Sequence, residues 1–96
     1  MRVIYKYTIK ITDKQTIDMP IGANIISLQM QNGTAAMWAI VNPKENFTSV
    51  KIRIFGTGEE IPVGSVLRHI GTIQDRGYVW HIFIDDTVYL NPITNV

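Results

Sequence analysis

The pair Asn32-Gly33, set between two arms of alternating residues, constrains the fold of this chain more than any other feature. A two-residue type I′ turn needs positive φ at both positions, which asparagine and glycine adopt most readily. We therefore predict a β-hairpin over residues 25–41, with one apolar face and one face that carries Trp38 among small and polar side chains. The turn also predicts the register, with these cross-strand pairs: Leu28 with Met37, Ile26 with Ala39, Ser27 with Trp38, and Gln29 with Ala36.

Period-two alternation recurs along the chain and indicates further strands over residues 2–11, 50–55, 69–74 and 78–85. A short segment, 16–19, stops at Pro20, which cannot donate to a ladder and therefore fits an edge strand. For residues 65–68 we predict a strand rather than a helical turn. No segment has a sustained helical period. The chain is thus predicted to be one all-β domain over residues 1–96, an antiparallel sandwich or open barrel of about six to seven strands.

Several connections follow from glycine, proline and polar residues. Residues 44–49 are predicted to form a polar loop, and residues 56–64 form the longest irregular stretch. Asp75-Arg76-Gly77 fits a three-residue hairpin loop with glycine in the left-handed position, which pairs Gly71 with His81 and Thr72 with Trp80. Residues 86–96 are predicted to be a trailing arm or an edge strand.

Composition limits the partners and the compartment. The net charge is +1, with 9 Lys and Arg against 8 Asp and Glu, whereas proteins that hold duplex DNA by its phosphates are far more basic. The chain has no cysteine and no apolar run of the about 18 residues that a membrane span needs. We therefore expect a soluble cytoplasmic protein that binds neither duplex nucleic acid nor membrane. Exposed strand edges and a 46% hydrophobic composition favour a homo-oligomer.

The residues do not predict catalysis, a metal or a cofactor. His69 and His81 have no third ligand nearby in sequence, whereas zinc takes three or four. No serine has the surroundings of a nucleophile elbow. The carboxylate pairs Glu59-Glu60 and Asp85-Asp86 are adjacent, so on a strand they point to opposite faces.

A small-ligand site is the alternative that the residues allow. Trp38, with Gln29 beside it, can stack on a nucleobase, or can cap a small core or fill an oligomer interface. Arg53 is the preferred phosphate ligand because its forked guanidinium can bond two oxygens at once, and Lys51 lies on the same strand face. The alternative is that these cations form a solvated face. The remaining candidates are Gly56, Thr57 and Gly58, as a backbone nest or a plain turn, and Arg68.

An ordered set of fragments carries a family resemblance. They are Tyr5-Lys6-Tyr7, residues 11–20 (Ile-Thr-Asp-Lys-Gln-Thr-Ile-Asp-Met-Pro), Gly22-Ala23, residues 29–34 (Gln-Met-Gln-Asn-Gly-Thr), residues 38–41 (Trp-Ala-Ile-Val), residues 54–58 (Ile-Phe-Gly-Thr-Gly) and residues 69–72 (His-Ile-Gly-Thr). Over residues 4–83 the chain resembles a family of small proteins common in bacteriophage genomes and prophages. The resemblance assigns no catalytic residues.

The resemblance implies a phage accessory protein made in the cytoplasm of an infected bacterium. Small phage proteins of this sort often counter bacterial immunity, and one strategy is to bind and hide a cyclic nucleotide signal. We therefore expect a protein that sequesters a small nucleotide-type ligand without chemistry, an analogy of context rather than of site. The alternatives are an inhibitor that binds a host defence protein and a minor virion component.

Overall fold

The structure, a computed structural model, describes residues 1–88 and contains seven β-strands there. They are β1 (Val3–Ile9), β2 (Lys14–Pro20), β3 (Asn24–Gln31), β4 (Thr34–Val41), β5 (Phe47–Gly56), β6 (Leu67–Asp75) and β7 (Tyr78–Asp85). Residues 1–88 include no helix that is long and apolar enough to cross a membrane. Of the predicted trailing arm, residues 86–88 form no strand, and the rest lies outside the described residues.

The strands form two antiparallel sheets, in the orders β1-β4-β3 and β2-β5-β7-β6. Met37 and Ala39 on β4 and Ile52, Ile54 and Ile82 on the four-stranded sheet belong to one buried apolar cluster. Burying one such large side chain stabilises the fold by about 1.5–3 kcal/mol, so this shared core holds the two sheets together. The all-β prediction is confirmed, and of its two forms the structure takes the sandwich.

The β3–β4 hairpin turns at Asn32 and Gly33, whose φ angles are 52° and 79°. Positive φ at both positions is the requirement of a type I′ turn, and the predicted turn is confirmed. The register next to it is also confirmed by three cross-strand pairs: Leu28 with Met37, Ser27 with Trp38, and Gln29 with Ala36.

Farther from the turn, the predicted pairing of Ile26 with Ala39 is wrong. Ile25 pairs with Ala39 instead, because the register shifts between Ile25 and Ser27. Such a bulge sets one extra residue on its strand. Ile26 therefore leaves the predicted apolar face and is 48% exposed.

The β6–β7 hairpin has a tighter turn than predicted. Arg76 and Gly77 both have positive φ, 51° and 86°, and form a two-residue turn. The predicted three-residue loop is wrong because Arg76, a residue that rarely adopts this conformation, takes the first position. The observed pairs near the turn are Thr72 with His81, Ile73 with Trp80, and Asp75 with Tyr78, so both predicted pairs are shifted by one residue.

A second register shift lies between His69 and Gly71 on β6. Beyond it, His69 pairs with Phe83. On a regular strand, residues three apart point to opposite faces. The bulge at Ile70 instead brings His69 and Thr72 to one face, where His69 Nε2 and Thr72 Oγ1 are 3.0 Å apart.

The ladder between β2 and β5 extends farther than the sequence suggested. Pro20 pairs with Phe47, and Asp18 pairs with Ser49, whose hydroxyl donates to the Asp18 carboxylate at 3.0 Å. Part of the predicted loop over residues 44–49 is therefore strand. The edge position of β2 is confirmed. Of the strand predicted over residues 65–68, Leu67 and Arg68 begin β6, whereas Ser65 and Val66 are not strand.

The two sheets approach most closely where β3 meets β6. A Cβ built on Gly71 would lie 2.6 Å from Leu28 Cδ2 and 3.1 Å from Leu28 Cβ. Real Cβ atoms do not approach another carbon as closely as 2.6 Å, so Leu28 can pack here only because residue 71 is glycine. Both bulges lie beside it, on the two strands that meet here.

Candidate functional site

A groove with a volume of about 490 Å³ lies on the four-stranded sheet, where β2 and β5 pair, and we call it the basic groove. Lys14, Lys51 and Arg53 line it, with Gln15, Thr16, Ile52 and Asp85. In the ladder, Lys14 pairs with Arg53 and Thr16 pairs with Lys51. Because residues two apart on a strand share a face, this pairing places the three cations together on one side of the sheet.

Arg53 is the most buried cation of the groove. Its side chain is only 12% exposed, and its Cζ lies 4.9 Å from the centre of the Phe55 ring, within the range of a cation–π contact. Its Nη1 lies 4.0 Å from Asp85 Oδ2. Asp85 also accepts a hydrogen bond of 2.9 Å from the Thr87 amide, which orients this carboxylate.

The Nε atom of Arg53 is a buried donor without a hydrogen-bond partner, and within residues 1–88 it is the sole side-chain N or O atom in that condition. Leaving a buried donor unsatisfied costs about 1–3 kcal/mol. Because Nε is shielded from solvent, an acceptor in the groove, such as a phosphate oxygen, would bind the part of the Arg53 side chain that stays exposed.

Beside the groove, a hydrogen-bonded chain runs across β7 and β6. Thr57 Oγ1 lies 2.8 Å from His81 Nε2, and His81 Nδ1 lies 3.0 Å from Thr72 Oγ1. The Thr72 hydroxyl also contacts His69 Nε2 at 3.0 Å. Because both ring nitrogens of His81 are engaged by hydroxyls, which can donate or accept, the imidazole is fixed in orientation.

Aromatic rings continue this surface. Phe83, opposite Arg53 in the β5–β7 ladder, has its ring centre 5.8 Å from that of Phe55 and 5.2 Å from that of His69. Both contacts are edge-to-face, an arrangement that aromatic pairs favour. We call Phe83 and His69 the aromatic patch. His69 is exposed and Phe83 is half-buried.

Trp38 and Gln29 lie on the other side of the molecule. Trp38 is half-buried on the outer face of the three-stranded sheet, where the Lys6 amine lies 5.9 Å from its ring centre. Gln29 Nε2 donates to Ser27 Oγ at 3.1 Å. Met37, next to Trp38 on β4, points into the core, and so do Ile52 and Ile54 on either side of Arg53. Because neighbours on a strand point to opposite faces, Trp38 and Arg53 both point outward, each from its own sheet and so on opposite faces of the sandwich. The structure does not bring them together.

The Gly56-Thr57-Gly58 turn is engaged within the chain. The Gly56 amide, a candidate phosphate donor, donates to Glu59 Oε1 at 3.1 Å, while Thr57 contacts His81. A Cβ on Gly56 would lie 3.3 Å from Trp80 Cζ3, so this glycine also accommodates the indole. Gly58, with φ +89°, allows the chain to reverse.

Arg68 forms an ion pair with Asp86, and its Nη2 donates to Asp86 Oδ1 at 3.4 Å. This hydrogen-bonded carboxylate raises the pKa of Arg68 above its usual range. Arg68 and Lys51 line a second concavity of about 260 Å³, which shares Asp85 with the basic groove.

Of the predicted ligand residues, Lys51 and Arg53 thus lie together in the basic groove, and Arg68 lines the adjacent concavity of about 260 Å³. Sequence reasoning missed Lys14, because its place depends on the long-range pairing of β2 with β5. It considered His69 and His81 as metal ligands and gave them no role. In the part of the chain that the structure describes, no three His, Asp or Glu side chains are grouped to hold a metal ion.

The fold and this surface define a small β-sandwich protein with a cationic groove on its four-stranded sheet. The profile of a domain of unknown function, DUF7352, matches residues 1–89, and the chain belongs to that family. No curated protein and no solved structure matches the chain significantly.

Proposed function

We propose that this protein binds a small nucleotide-type anion in the basic groove and sequesters it without changing it chemically. The observation that carries the proposal is Arg53, whose guanidinium is held beside Phe55 and Asp85 at the wall of a groove that two lysines also line. In the phage setting that the sequence resemblance implies, the ligand is an immune signal of the infected bacterium. Its capture in the host cytoplasm protects the phage.

The charge of the groove supports an anion. Lys14, Lys51 and Arg53 oppose the single carboxylate of Asp85 among the lining residues. Hydrogen bonds from charged donors to phosphate are roughly twice as strong as neutral ones, and an arginine fork can bond two oxygens at once.

The contacts of Arg53 and the size of the groove support the binding of a small molecule. Phe55 and Asp85 already restrict the guanidinium, so little side-chain entropy is lost when a ligand binds. The volume of about 490 Å³ falls within the range of about 300–1,000 Å³ typical of small-molecule sites. The groove contributes three cations and the hydroxyl of Thr16, which are groups that hold an anion.

The test is calorimetry and thermal melting of the purified protein against cyclic dinucleotides, cyclic ADP-ribose-type molecules and mononucleotides. We expect at least one to bind and to be recovered intact, by mass spectrometry, after heat denaturation. Absence of heat and of any melting shift with all of them would overturn the proposal. A ligand recovered in altered form would overturn sequestration without chemistry.

Two variants test whether the groove is the site. Arg53→Lys keeps the charge but loses the fork, and Lys51→Gln removes one charge; each should weaken binding about tenfold or more, the effect of about 1.4 kcal/mol. Lys44→Gln is the matched control, because Lys44 is exposed in the β4–β5 connection and does not line the groove. Equal losses in all three variants would place the binding elsewhere.

The alternative, an inhibitor that binds a host protein, is supported by the outer face of the three-stranded sheet. Ile4, 59% exposed, pairs with Ile40 beside Trp38, so this face is partly apolar. A Trp38→Ala variant separates the two functions. It leaves small-ligand affinity unchanged if the groove is the site, and it lowers phage protection without affecting ligand capture if this face binds the host factor.

A further inference from the structure

The aromatic patch, Phe83 and His69, continues the basic groove across the same face of the four-stranded sheet. Arg53 on β5 pairs with Phe83 on β7, and Phe83 pairs with His69 on β6. The three residues thus form one row across three neighbouring strands. Moving along this row from the groove, the surface changes from cationic to aromatic.

The length of this row fits one nucleoside unit. Neighbouring strands lie about 4.8 Å apart, so Arg53 and His69 are separated by two spacings, or about 10 Å along the sheet. A phosphate over Arg53 therefore leaves room for a sugar and places the attached base over Phe83 and His69. Inorganic phosphate would occupy only the cationic end of the row.

The patch is ordered before any ligand binds. The edge-to-face contact with Phe83, at 5.2 Å between ring centres, orients the His69 imidazole, and so does its contact with Thr72 Oγ1 at 3.0 Å. Thr72 is itself held by His81, whose other ring nitrogen contacts Thr57. An exposed ring fixed in this way stacks on a base with little loss of side-chain entropy.

We propose that the aromatic patch binds the base of a nucleotide whose phosphate occupies the basic groove. The inference rests on the proposed function, and it assigns His69 and Phe83 the role of base recognition that the sequence suggested for Trp38. Stacking on aromatic rings accepts any base, since every base has a π-face. Selection among bases then depends on polar groups beside the patch, such as the Thr72 hydroxyl that contacts His69.

The test compares a sugar phosphate with nucleotides that carry the same phosphate and sugar and add a base. Ribose 5-phosphate and the four nucleoside monophosphates are titrated separately into the protein by calorimetry. We expect the best nucleotide to bind about 10- to 100-fold more tightly than ribose 5-phosphate, the effect of one stacked base. His69→Ala should reduce this ratio toward one while leaving the affinity for ribose 5-phosphate unchanged, and His69→Phe should largely restore it.

Gln74→Ala is the matched control, because Gln74 is exposed on the same strand but nearer the turn. Ribose 5-phosphate binding as tightly as every nucleotide would overturn the base site while the phosphate groove stands. A ratio unaffected by both His69→Ala and Phe83→Leu would also overturn it. If neither ribose 5-phosphate nor any nucleotide binds, both the base site and the proposed function are wrong.

Discussion

Gly71→Ala tests the closest approach of the two sheets. The added Cβ meets Leu28 Cδ2 at 2.6 Å and Leu28 Cβ at 3.1 Å. A rotation of Leu28 can move Cδ2 away, but its Cβ is fixed by the backbone of β3. The substitution therefore forces β3 and β6 apart or displaces Leu28 from the core that it packs against.

The expected loss of stability follows from two opposing effects. Overpacking a well-packed interior costs about 1–3 kcal/mol. Replacing glycine also restricts the unfolded chain, which returns about 0.4–1 kcal/mol. The net loss is roughly 1–2 kcal/mol, and in a domain of this size each kcal/mol lowers the melting temperature by about 4–8 °C. We expect a fall of about 5–15 °C.

Urea and thermal unfolding, followed by circular dichroism, measure this loss, and a double-mutant cycle assigns it. Leu28→Ala removes Cδ2, so adding Gly71→Ala to that variant should cost at least about 1 kcal/mol less than in the wild type. Gly56→Ala serves as the comparison, since its nearest neighbour is the edge of the Trp80 ring at 3.3 Å. A Gly71→Ala variant as stable as the wild type, or an equal cost in both backgrounds, would refute the reasoning.

Two further substitutions probe charge. Asp85→Asn should lower the free energy of unfolding by about 2–3 kcal/mol, because Arg53 loses its charged neighbour at 4.0 Å. This loss is somewhat below the range for fully buried pairs. Unchanged urea unfolding would contradict a stabilising pair. Burial, and to a lesser extent Tyr5, raises the pKa of Tyr7. The contribution of the neutral Tyr7 phenol to stability is therefore complete below the unfolded-state pKa of about 10, and it is lost as the pH rises through the higher folded-state pKa. Tyr7→Phe should therefore reduce the slope of unfolding free energy between about pH 9 and pH 11, and identical slopes would contradict this.

The parts of the fold that the sequence predicted depend on local conformation. Asn32-Gly33 needs nothing beyond its own two residues to select a type I′ turn, so the register of the adjoining pairs follows from it. Lys51 and Arg53 share a face because they are two residues apart on one strand. These relations require no knowledge of which strand lies beside which.

The bulges could not be predicted in this way. Alternation assumes a regular strand, whereas Ile26 and Ile70 each add a residue to one side of a ladder. Their physical setting is the contact between Leu28 and Gly71, which joins residues from two different sheets. Since the shift at Ile70 brings His69 to the face of Thr72, the packing between the sheets also determines the aromatic patch.

The separation of Trp38 from Arg53 has the same cause. Alternation along β4 and β5 correctly turns each side chain away from the apolar residues beside it. It does not state to which sheet each strand belongs, and in a sandwich two outward-pointing residues on different sheets face opposite directions. A nucleotide held by Arg53 must therefore find its aromatic surface on the four-stranded sheet, where Phe83 and His69 share the row of Arg53.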